Sequence, residues 1–580
     1  MSTKLTDEEK AIGLRNFNQA RADMATQADG VSRRTFMKSA LSAGGVIPVS
    51  AAVYFGYDQW KGNKAVRTAF IGVGDEGGVL IGEHNPEYNQ VVAVCDVRPY
   101  NQTRIFEGEA NGPRKGLNKI YGKDAAAKIK VFDSVQALLD AKTELGLEAV
   151  VIATPLFTHK DIAIKCMEAG LHVLCEKLMA RTITQCKEMI AAAKKNGVLL
   201  NIGHQRHYSL LYAHAAELVH DGILGDIKHI RAQWPRNNSW PFDAAKARAE
   251  KGLKAIADEK RFKLPELQDG WYPPIYKVDA DALTDDKVKA LGYKNLEELV
   301  RWRCFDRTGG GLMAELGSHQ LDASSIFLGH VHPLSVQGVG GQFFYGDSRK
   351  AEKGIPTGPN ARESEDGVFV TFEFPGKNHP AAGKGGKDEN DVVVVTYSSF
   401  NTNEFEDYGE CLMGSRGTML VEKEANVYLY KEKAKGAAAG GGGAAKETNV
   451  KVTTAAGKAP VMEAASTWGG AGGPAITKGP SGPAWDTDIR GYRQEMEHFA
   501  YCVRRWQEMK QRVSYEKGSD GKLKYADILP RCHGEVAMAD AIIALTANMA
   551  MDTRQRIAFE SNWFNPEAPD VPETKYGKKA

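Results

Sequence analysis

Three glycines and an acidic residue have the spacing of a site for a dinucleotide phosphate. Gly72, Gly74 and Gly77 follow an apolar run, and Asp96 ends a second run nineteen residues later. In this pattern the glycines permit a tight turn, close approach of backbone amides to a pyrophosphate, and close packing of helix on strand. A helix N-terminus would then hold the phosphates. A glycine-rich turn without a ligand is the alternative interpretation.

The same residues indicate which dinucleotide would bind. Asp96 would accept hydrogen bonds from the ribose 2′-hydroxyl of NAD. Arg98, two residues further on, would instead meet the 2′-phosphate of NADP. Asp75 and Glu76 add negative charge inside the glycine loop, which does not help an anion to bind. The pattern predicts NAD, with NADP as the alternative.

The glycines lie in a stretch where strand-like and helix-like segments alternate. Short apolar runs such as AVVIATP and HVLCEK are separated by segments with helical periodicity, such as TITQCKEMIAAAKKNG. Strands that alternate with helices indicate βαβ units and a parallel sheet. We therefore predict an α/β dinucleotide-binding domain of the Rossmann type over residues 65–203.

The chain after this domain has a different pattern of apolar and polar residues. Runs such as DGVFVTFEF and DVVVVTYSSF alternate apolar with polar residues, which predicts an antiparallel sheet with one open face. We predict a second α/β domain over residues 204–560, followed by a tail over 561–580. A polar insert at 236–303 and a glycine-rich loop at 434–446 interrupt it. An open sheet face could also pair with a second copy of the chain.

Composition excludes several classes of protein. The 580 residues carry a net charge of +2, and no dense basic stripe interleaved with aromatic residues indicates nucleic-acid binding. None of the eight cysteines has the spacing of a zinc site. We therefore predict no metal site and no disulfide scaffold.

Residues 1–64 form an extension with an export signature. Residues 1–31 are polar and lack a strong apolar face, and SRRTFMKSA follows with Arg33 and Arg34 before an uncharged segment over 39–57. This resembles a twin-arginine signal, which predicts export to the periplasm by the twin-arginine machinery. The uncharged segment could stay as a tether if the signal is not cleaved. A chance Arg-Arg pair before a buried helix is the alternative.

Several segments together resemble one enzyme family. FIGVGDEGG, VIATPLFTHKDIAIKCMEAGLHVLCEK, GGGLMAELGSHQLDASSIFLG and RCHGEVAMADAIIALTANMAM are similar to the Gfo/Idh/MocA oxidoreductases. The resemblance spans about residues 67–559 and leaves out the N-terminal extension, the insert and the glycine-rich loop. It implies a Rossmann domain followed by a substrate domain, with hydride transfer between a nicotinamide cofactor and a carbon that bears a hydroxyl or carbonyl group.

The family's Glu-Lys-Pro motif falls on Glu176, Lys177 and Leu178. The match implies that the Lys177 ammonium contacts the substrate oxygen and favours a developing alkoxide. Leu178 departs from the family, in which the Lys-Pro bond is commonly cis; a cis bond before leucine costs about 3 kcal/mol. A lysine that merely leaves the strand for solvent is the alternative.

A second motif, Glu315-x-x-x-His319-x-x-Asp322, follows three glycines. Residues four apart on a helix share a face. The resemblance implies that His319 handles the hydroxyl proton, which suits an imidazole because its ordinary pKa lies near neutrality. Glu315 stands where the family often has Asp, and we expect it to orient the imidazole or to touch a sugar hydroxyl.

Other residues lie in family-like contexts around these two motifs. They are expected to line the nicotinamide or the substrate pocket, with a structural role as the alternative for the two histidines: Thr154, Pro155, His159, His204, Gln205, Arg206 and Asp322. Tyr208 and Trp302 are candidates to stack on a sugar ring.

These expectations combine into one function with two alternatives. We expect an exported NAD-dependent oxidoreductase that acts on a sugar, polyol or glycoside. Because no free nicotinamide pool is expected outside the cytoplasm, the cofactor should travel bound and be reset in each cycle. NAD-dependent glycoside hydrolysis through transient oxidation is the first alternative. A non-catalytic sugar-binding protein that retains the fold is the second.

Overall fold

The computed structural model describes most of the chain in several stretches. They are residues 5–27, 50–60, 63–236, 240–241, 267–268, 271–345, 362–432, 450–453, 461–464, 490–509 and 528–577. The twin-arginine motif and the glycine-rich loop at 434–446 lie outside the described residues, as does most of 237–270.

The helices of the described residues are named in chain order. They are α1 Asp7–Gln27, α2 Ala51–Phe55, α3 Asp75–Glu83, α4 Pro99–Glu107, α5 Leu117–Tyr121, α6 Lys123–Ala126, α7 Val135–Asp140, α8 Lys142–Leu145, α9 His159–Glu168, α10 Ile183–Asn196, α11 Leu210–His220, α12 Lys277–Ala282, α13 Asp285–Ala290, α14 Leu296–Val300, α15 Ser318–Leu328, α16 Tyr492–Glu508, α17 Gly534–Thr553 and α18 Glu573–Tyr576.

The strands are named in the same way. They are β1 Val66–Ile71, β2 Asn89–Cys95, β3 Lys130–Phe132, β4 Ala149–Ile152, β5 His172–Glu176, β6 Leu200–Gly203, β7 Ile227–Pro235, β8 Trp240–Pro241, β9 Leu267–Gln268, β10 Ser335–Gly341, β11 Gly367–Pro375, β12 Val392–Phe400, β13 Gly409–Gly414, β14 Gly417–Glu422, β15 Asn426–Lys431, β16 Val450–Thr453, β17 Val461–Ala464 and β18 Ile557–Ala558.

The first six strands form one parallel sheet in the order β3-β2-β1-β4-β5-β6. This is the doubly wound Rossmann order, whose ligands bind at the carboxyl ends of the strands. Apart from the edge strand β3, the strands are largely buried on both faces, as parallel strands under helices are. Ala69 and Ile71 of β1 belong to one apolar cluster, and Phe70 between them belongs to the other. The predicted α/β class and dinucleotide-binding topology are confirmed.

The second sheet has eight strands in the order β15-β14-β13-β7-β12-β11-β10-β18. Neighbouring strands are antiparallel except β7 and β12, which run parallel. Helices α15 and α17 pack on one face of this sheet. On β11, Val368 and Val370 face them and are buried, whereas Phe369 between them is exposed on the opposite face. The predicted antiparallel sheet with an open face is confirmed.

The N-terminal extension contains a helix that the sequence did not indicate. Helix α1 packs against the edge strand β15, and its Phe17 and Ala20 are buried. The Asn16 amide donates a hydrogen bond to the carbonyl of Leu429 at 3.0 Å. Our description of residues 1–31 as lacking a strong apolar face missed this contact, because the helix buries only a few small and aromatic side chains.

Residues 271–304 of the insert, which we call the cap, carry α12, α13 and α14. Their apolar side chains form a cluster of their own. Val97 and Phe157 of the Rossmann domain pack against this cluster. The cap therefore belongs to the surface around the ends of β2 and β4.

One helix of the described residues, Gly534–Thr553, is long and apolar enough to cross a membrane by length and composition. This helix is α17, and it packs against α10, α15 and β10 in the core. Its apolar composition is explained by burial inside the fold.

Candidate active site

The glycine loop has the geometry of a dinucleotide cradle. Gly72 has φ +82°, and a Cβ there would lie 2.5 Å from the carbonyl oxygen of Ala153. A Cβ on Gly77 would lie 2.0 Å from the carbonyl oxygen of Gly72. A Cβ on Gly74 would meet only the Asn101 amide, at 3.6 Å. The loop therefore turns tightly, packs closely on itself, and leaves open space where a phosphate would approach.

Helix α3 begins directly after Gly74, and no side chain caps its first amides. This leaves backbone N–H groups available to an anion. Asp75 inside the loop is paired with Arg104 at 2.9 Å and lies 4.0 Å from Arg114. These two arginines, which the sequence analysis did not single out, offset the negative charge that we noted there. The residues present thus fit a bound dinucleotide.

Asp96 follows the end of β2, as predicted. Its carboxylate accepts hydrogen bonds from the backbone N–H of Val73 at 2.9 Å and of Arg98 at 2.8 Å, and from the Asn101 amide at 3.1 Å. These donors fix the carboxylate beside the glycine loop. A carboxylate has about four lone-pair sites, so one remains for a ribose hydroxyl.

Thr154 and Pro155 follow β4, next to the glycine loop. The Thr158 hydroxyl lies 2.8 Å from Thr154 Oγ1 and 2.7 Å from the Pro155 carbonyl oxygen. His159 is buried, with Nδ1 3.0 Å from the Leu178 carbonyl oxygen and Nε2 2.8 Å from that of Thr154. Both ring nitrogens are thus engaged with backbone, which favours the structural alternative for His159 over cofactor binding.

Glu176 ends β5, and one of its two carboxylate oxygens has no hydrogen-bond partner among the described residues. Its Oε2 accepts a hydrogen bond from the Lys177 N–H at 3.1 Å, while Oε1 is buried without a partner among the described residues. Burial, followed by the nearby Glu76 carboxylate, raises the pKa of Glu176 to about 8. The side chain is therefore largely protonated at neutral pH and can donate as well as accept a hydrogen bond.

Lys177 reaches across to the second domain. Its Nζ donates to the carbonyl oxygen of Glu315 at 2.8 Å. The Lys177–Leu178 peptide bond is cis, as the Lys-Pro bond commonly is in the family that the sequence resembles. Leu178 is buried. Lys177 thus does not leave the strand for solvent; it lies at the junction of the two domains.

Glu315 differs from our expectation. Its carboxylate accepts a hydrogen bond from Arg303 Nε at 2.7 Å, and no hydrogen bond to His319 occurs in the part of the chain that the structure describes. Glu315 lies in a π-helical turn, Met313–Gly317, before α15, which alters the spacing that we assumed from a regular helix. Burial opposes ionisation of Glu315, but Arg303 and Lys177 outweigh it, so its pKa is lowered.

His319 begins the first turn of α15 and is buried. Burial lowers the pKa of its imidazole well below the ordinary value, and the Lys177 and Arg206 cations lower it further. The imidazole is therefore neutral at neutral pH and can accept a proton. Its ring centroid lies 5.4 Å from that of Trp234, which stacks on Tyr408 at 4.4 Å. The sequence analysis missed these two aromatic residues, because they lie far apart in the chain and only the pairing of β7 with β13 brings them together.

Several predicted substrate residues lie in the core instead. Tyr208 is fully buried, and its hydroxyl donates to Asn201 Oδ1 at 3.0 Å. Arg206 is buried and pairs with Glu424, and it donates to Gln320 at 2.8 Å. Neither side chain is free to contact a sugar, so these two predictions are corrected to supporting roles. Trp302 lies in the cap, where it packs against the apolar cluster. The Arg303 guanidinium lies 4.3 Å from its ring centroid, and Trp302 does not join Trp234 and Tyr408.

Asp322 and His204 form a buried network below His319. Asp322 Oδ1 lies 2.8 Å from His207 Nε2, and its Oδ2 lies 3.6 Å from His204 Nδ1. Asp540 joins them, and the ligand atoms of His204, Asp322 and Asp540 lie within 4.8 Å of one another. Burial and then Asp322 raise the pKa of Asp540 well above its ordinary value. Asp322 Oδ2, Asp540 Oδ2 and both ring nitrogens of His204 are buried without a hydrogen-bond partner among the described residues.

Comparison with known proteins agrees with the Rossmann topology of the first domain. Residues 66–204 match the Gfo/Idh/MocA family model, described as an oxidoreductase family with an NAD-binding Rossmann fold. A D-glucoside 3-dehydrogenase of Escherichia coli is 25% identical over 54% of this chain and 68% of its own length. A glycosyl hydrolase family 109 protein of Stenotrophomonas maltophilia is 29% identical over 35% of this chain and 42% of its own length.

A solved inositol dehydrogenase homologue from Azotobacter vinelandii, in complex with NADH and myo-inositol, has the same fold. The TM-score is 0.50 at 16% identity, over 86% of this chain and 98% of that chain. The chain spans 41–50% of the length of the first curated relatives that it matches. The parallel-sheet domain of this chain is thus similar to the NAD-binding Rossmann domain of the Gfo/Idh/MocA oxidoreductases.

Proposed function

We propose that the protein is an NAD-dependent oxidoreductase that acts on a hydroxyl-bearing carbon of a sugar, polyol or glycoside. The observation that carries this proposal is the contact between Lys177 and the turn that precedes His319. The Lys177 ammonium donates a hydrogen bond to the carbonyl oxygen of Glu315. His319, four residues later, is buried and neutral. The electrostatic interactions of Lys177 with His319 and with Glu76 of the glycine loop support a common site for the cation and the proton acceptor.

The roles of the side chains follow from their charges. NAD, when bound, supplies a hydride acceptor. The Lys177 ammonium stabilises negative charge that develops on the substrate oxygen, and His319 accepts the hydroxyl proton. Arg303 holds Glu315 at 2.7 Å, so that the turn which positions both Lys177 and His319 is fixed by an ion pair.

A carbohydrate is the substrate class that suits the aromatic pair. Trp234 and Tyr408 stack at an interplanar angle of 10° beside His319. Aromatic rings combine a large apolar surface with a polar group, which suits a ring that has apolar C–H groups and polar hydroxyls. The relative named D-glucoside 3-dehydrogenase supports the same class of substrate.

We further propose that the protein is exported with its cofactor bound. The motif at Arg33 and Arg34 motivates this, although it lies outside the described residues. Replacing both arginines with lysine keeps the charge and should retain the protein in the cytoplasm. Cell fractionation measures this outcome, and periplasmic protein in the double variant would refute export by the twin-arginine machinery.

A second candidate is glycoside cleavage through transient oxidation, without net redox change. The relative described as a glycosyl hydrolase family 109 protein favours it. The same Lys177 and His319 would serve the oxidation and its reversal. Product analysis separates the two candidates: a keto sugar with reduced cofactor indicates the dehydrogenase, and a free reducing sugar with unchanged cofactor indicates the glycosidase.

The proposed function is tested on the purified full-length protein. Mass spectrometry of the released small molecules should detect NAD. Lys177→Ala should lower turnover by about a hundredfold or more without abolishing dinucleotide binding. Lys165→Ala, an exposed lysine of α9, is the matched control and should have wild-type activity. A protein without affinity for either dinucleotide would refute the proposal.

A further inference from the structure

The cap packs against the ends of two strands that flank the glycine loop. The two Rossmann residues that pack against its apolar cluster are Val97, which follows Asp96 after β2, and Phe157, which lies in the loop after β4. Strands β2 and β4 are the two neighbours of β1 in the sheet. The cap therefore bridges the strand ends on either side of the strand that carries the glycine loop.

A buried ion pair joins the cap to Arg98, the residue that the sequence analysis considered for recognition of NADP. Arg98 Nε donates to Asp279 Oδ2 at 2.8 Å, and Asp279 Oδ1 accepts a hydrogen bond from the Tyr100 N–H at 3.0 Å. The Asp279 side chain is fully buried, and that of Arg98 is 16% exposed. Both carboxylate oxygens of Asp279 are thus committed to the segment that follows Asp96.

Aromatic contacts hold Asp279 in this position. Tyr276 of the cap stacks on Tyr100 with ring centroids 3.5 Å apart at an interplanar angle of 10°. Tyr293 contacts Phe157 edge-on at 5.0 Å. Burial and then the nearby Asp96 carboxylate raise the pKa of Tyr293, so this side chain also lies near the carboxylate that would bind the ribose. The surroundings of Asp96 therefore include residues of both the Rossmann domain and the cap.

We infer that Asp279 of the cap makes the groove selective for NAD over NADP, by occupying Arg98 and by adding a second carboxylate beside Asp96. This inference rests on the proposed function and names a residue that determines its cofactor. A 2′-phosphate adds about two negative charges next to two carboxylates, of which only one pairs with Arg98. A ribose 2′-hydroxyl carries no charge and needs only an acceptor, which Asp96 provides.

The test compares dinucleotide occupancy, without an activity assay. Full-length wild type, Asp279→Asn, Arg98→Ala/Asp279→Asn and Asp281→Asn are each dialysed to equilibrium against equal concentrations of NAD and NADP. The bound dinucleotides are then released and quantified by mass spectrometry. Asp281 lies on the same helix, exposed and paired with Lys277, so it controls for charge. Thermal unfolding shows that each variant is folded.

The wild type and Asp281→Asn should bind NAD. Asp279→Asn should raise the bound NADP-to-NAD ratio by about tenfold or more, and removing Arg98 as well should cancel most of this gain. A folded Asp279→Asn with the wild-type ratio, or a wild type that takes up both dinucleotides equally, overturns the inference and leaves the proposed function intact. Absence of either dinucleotide from every protein overturns both.

Discussion

At the scale of residues, the site depends on which side chains are charged when buried. Lys177, Arg303 and Glu315 are close together, and the two cations keep the Glu315 carboxylate ionised despite burial. Burial, and then the nearby Lys177 and Arg206 cations, lower the pKa of His319 and keep its imidazole neutral. In the proposed reaction the ammonium stabilises charge on the substrate oxygen and the neutral imidazole accepts the hydroxyl proton.

This electrostatic pairing predicts the pH dependence of His319. Its lowered pKa means that the imidazole stays deprotonated well below pH 6.5, so the acidic limb of kcat/KM for hydroxyl oxidation should lie below that value. His319→Asn should lower kcat about 10²- to 10⁴-fold while dinucleotide binding persists. An acidic limb that lies at or above pH 6.5 and disappears in the variant would contradict the neutral buried imidazole.

Glu176 provides a second prediction about pH, because its pKa is raised on folding whereas that of His319 is lowered. Its pKa rises from the ordinary 4.5 to about 8 on folding, so the folded state holds a proton that the unfolded state has released between these values. The stability from this group is full below pH 4.5 and is lost as the pH rises toward 8.

Glu176→Gln has no such titration. The free energy of unfolding of the wild type relative to this variant should therefore fall by about 1.4 kcal/mol per pH unit inside the window. Urea unfolding from pH 4.5 to 9, with both proteins in the same cofactor state, measures the difference. A difference that is flat across this range would show that Glu176 is ionised in the folded protein.

At the scale of elements, the contact of α1 with β15 is the least expected feature. A Cβ on Gly13 would lie 2.6 Å from Tyr430 Oη and 2.7 Å from Tyr428 Cβ. The Tyr428 Cβ is fixed to the strand, so the helix cannot keep its position with a larger residue there.

Gly13→Val should therefore separate α1 from the sheet, although valine costs less than glycine in an isolated helix. Hydrogen exchange over residues 7–24 should become faster, and trypsin should cleave there earlier. Leu14→Ala, at an exposed position of the same helix, is the control and should leave both measurements near the wild type. Unchanged protection in Gly13→Val would mean that α1 does not need this close approach.

At the scale of the whole molecule, the open face of the second sheet carries exposed apolar side chains. Phe369 is 46% exposed there, and Val339, its partner across β10 and β11, is 62% exposed. Phe343 and Phe400 contribute neighbouring rings. Contiguous apolar surface of this kind marks interaction sites.

We therefore expect the protein to form homo-oligomers through this face. Phe369→Glu places a charge in the patch and should shift the protein toward the monomer in light scattering at micromolar concentration. Lys377→Glu, at an exposed position near the end of β11, controls for charge. An unchanged mass in Phe369→Glu would exclude this face as the interface.

Local sequence signals were sufficient for the Rossmann domain. The tight turn at Gly72, the close packing of Gly77 and the acid after β2 depend on residues adjacent to each element, so spacing alone predicted them. The prediction that Lys177 and His319 belong to one site came from family resemblance, because 142 residues separate them in the chain.

Chain sequence by itself determined the parallel sheet, the glycine cradle and the open antiparallel sheet, since strand and helix periodicities are local properties. Only the tertiary structure decided what each site residue contacts. Arg98 pairs with Asp279, 181 residues away. The Glu315 carboxylate accepts its hydrogen bond from Arg303 and not from His319. Tyr208 and Arg206 are buried. Such pairings depend on where distant elements pack, and neither residue type nor periodicity encodes that position.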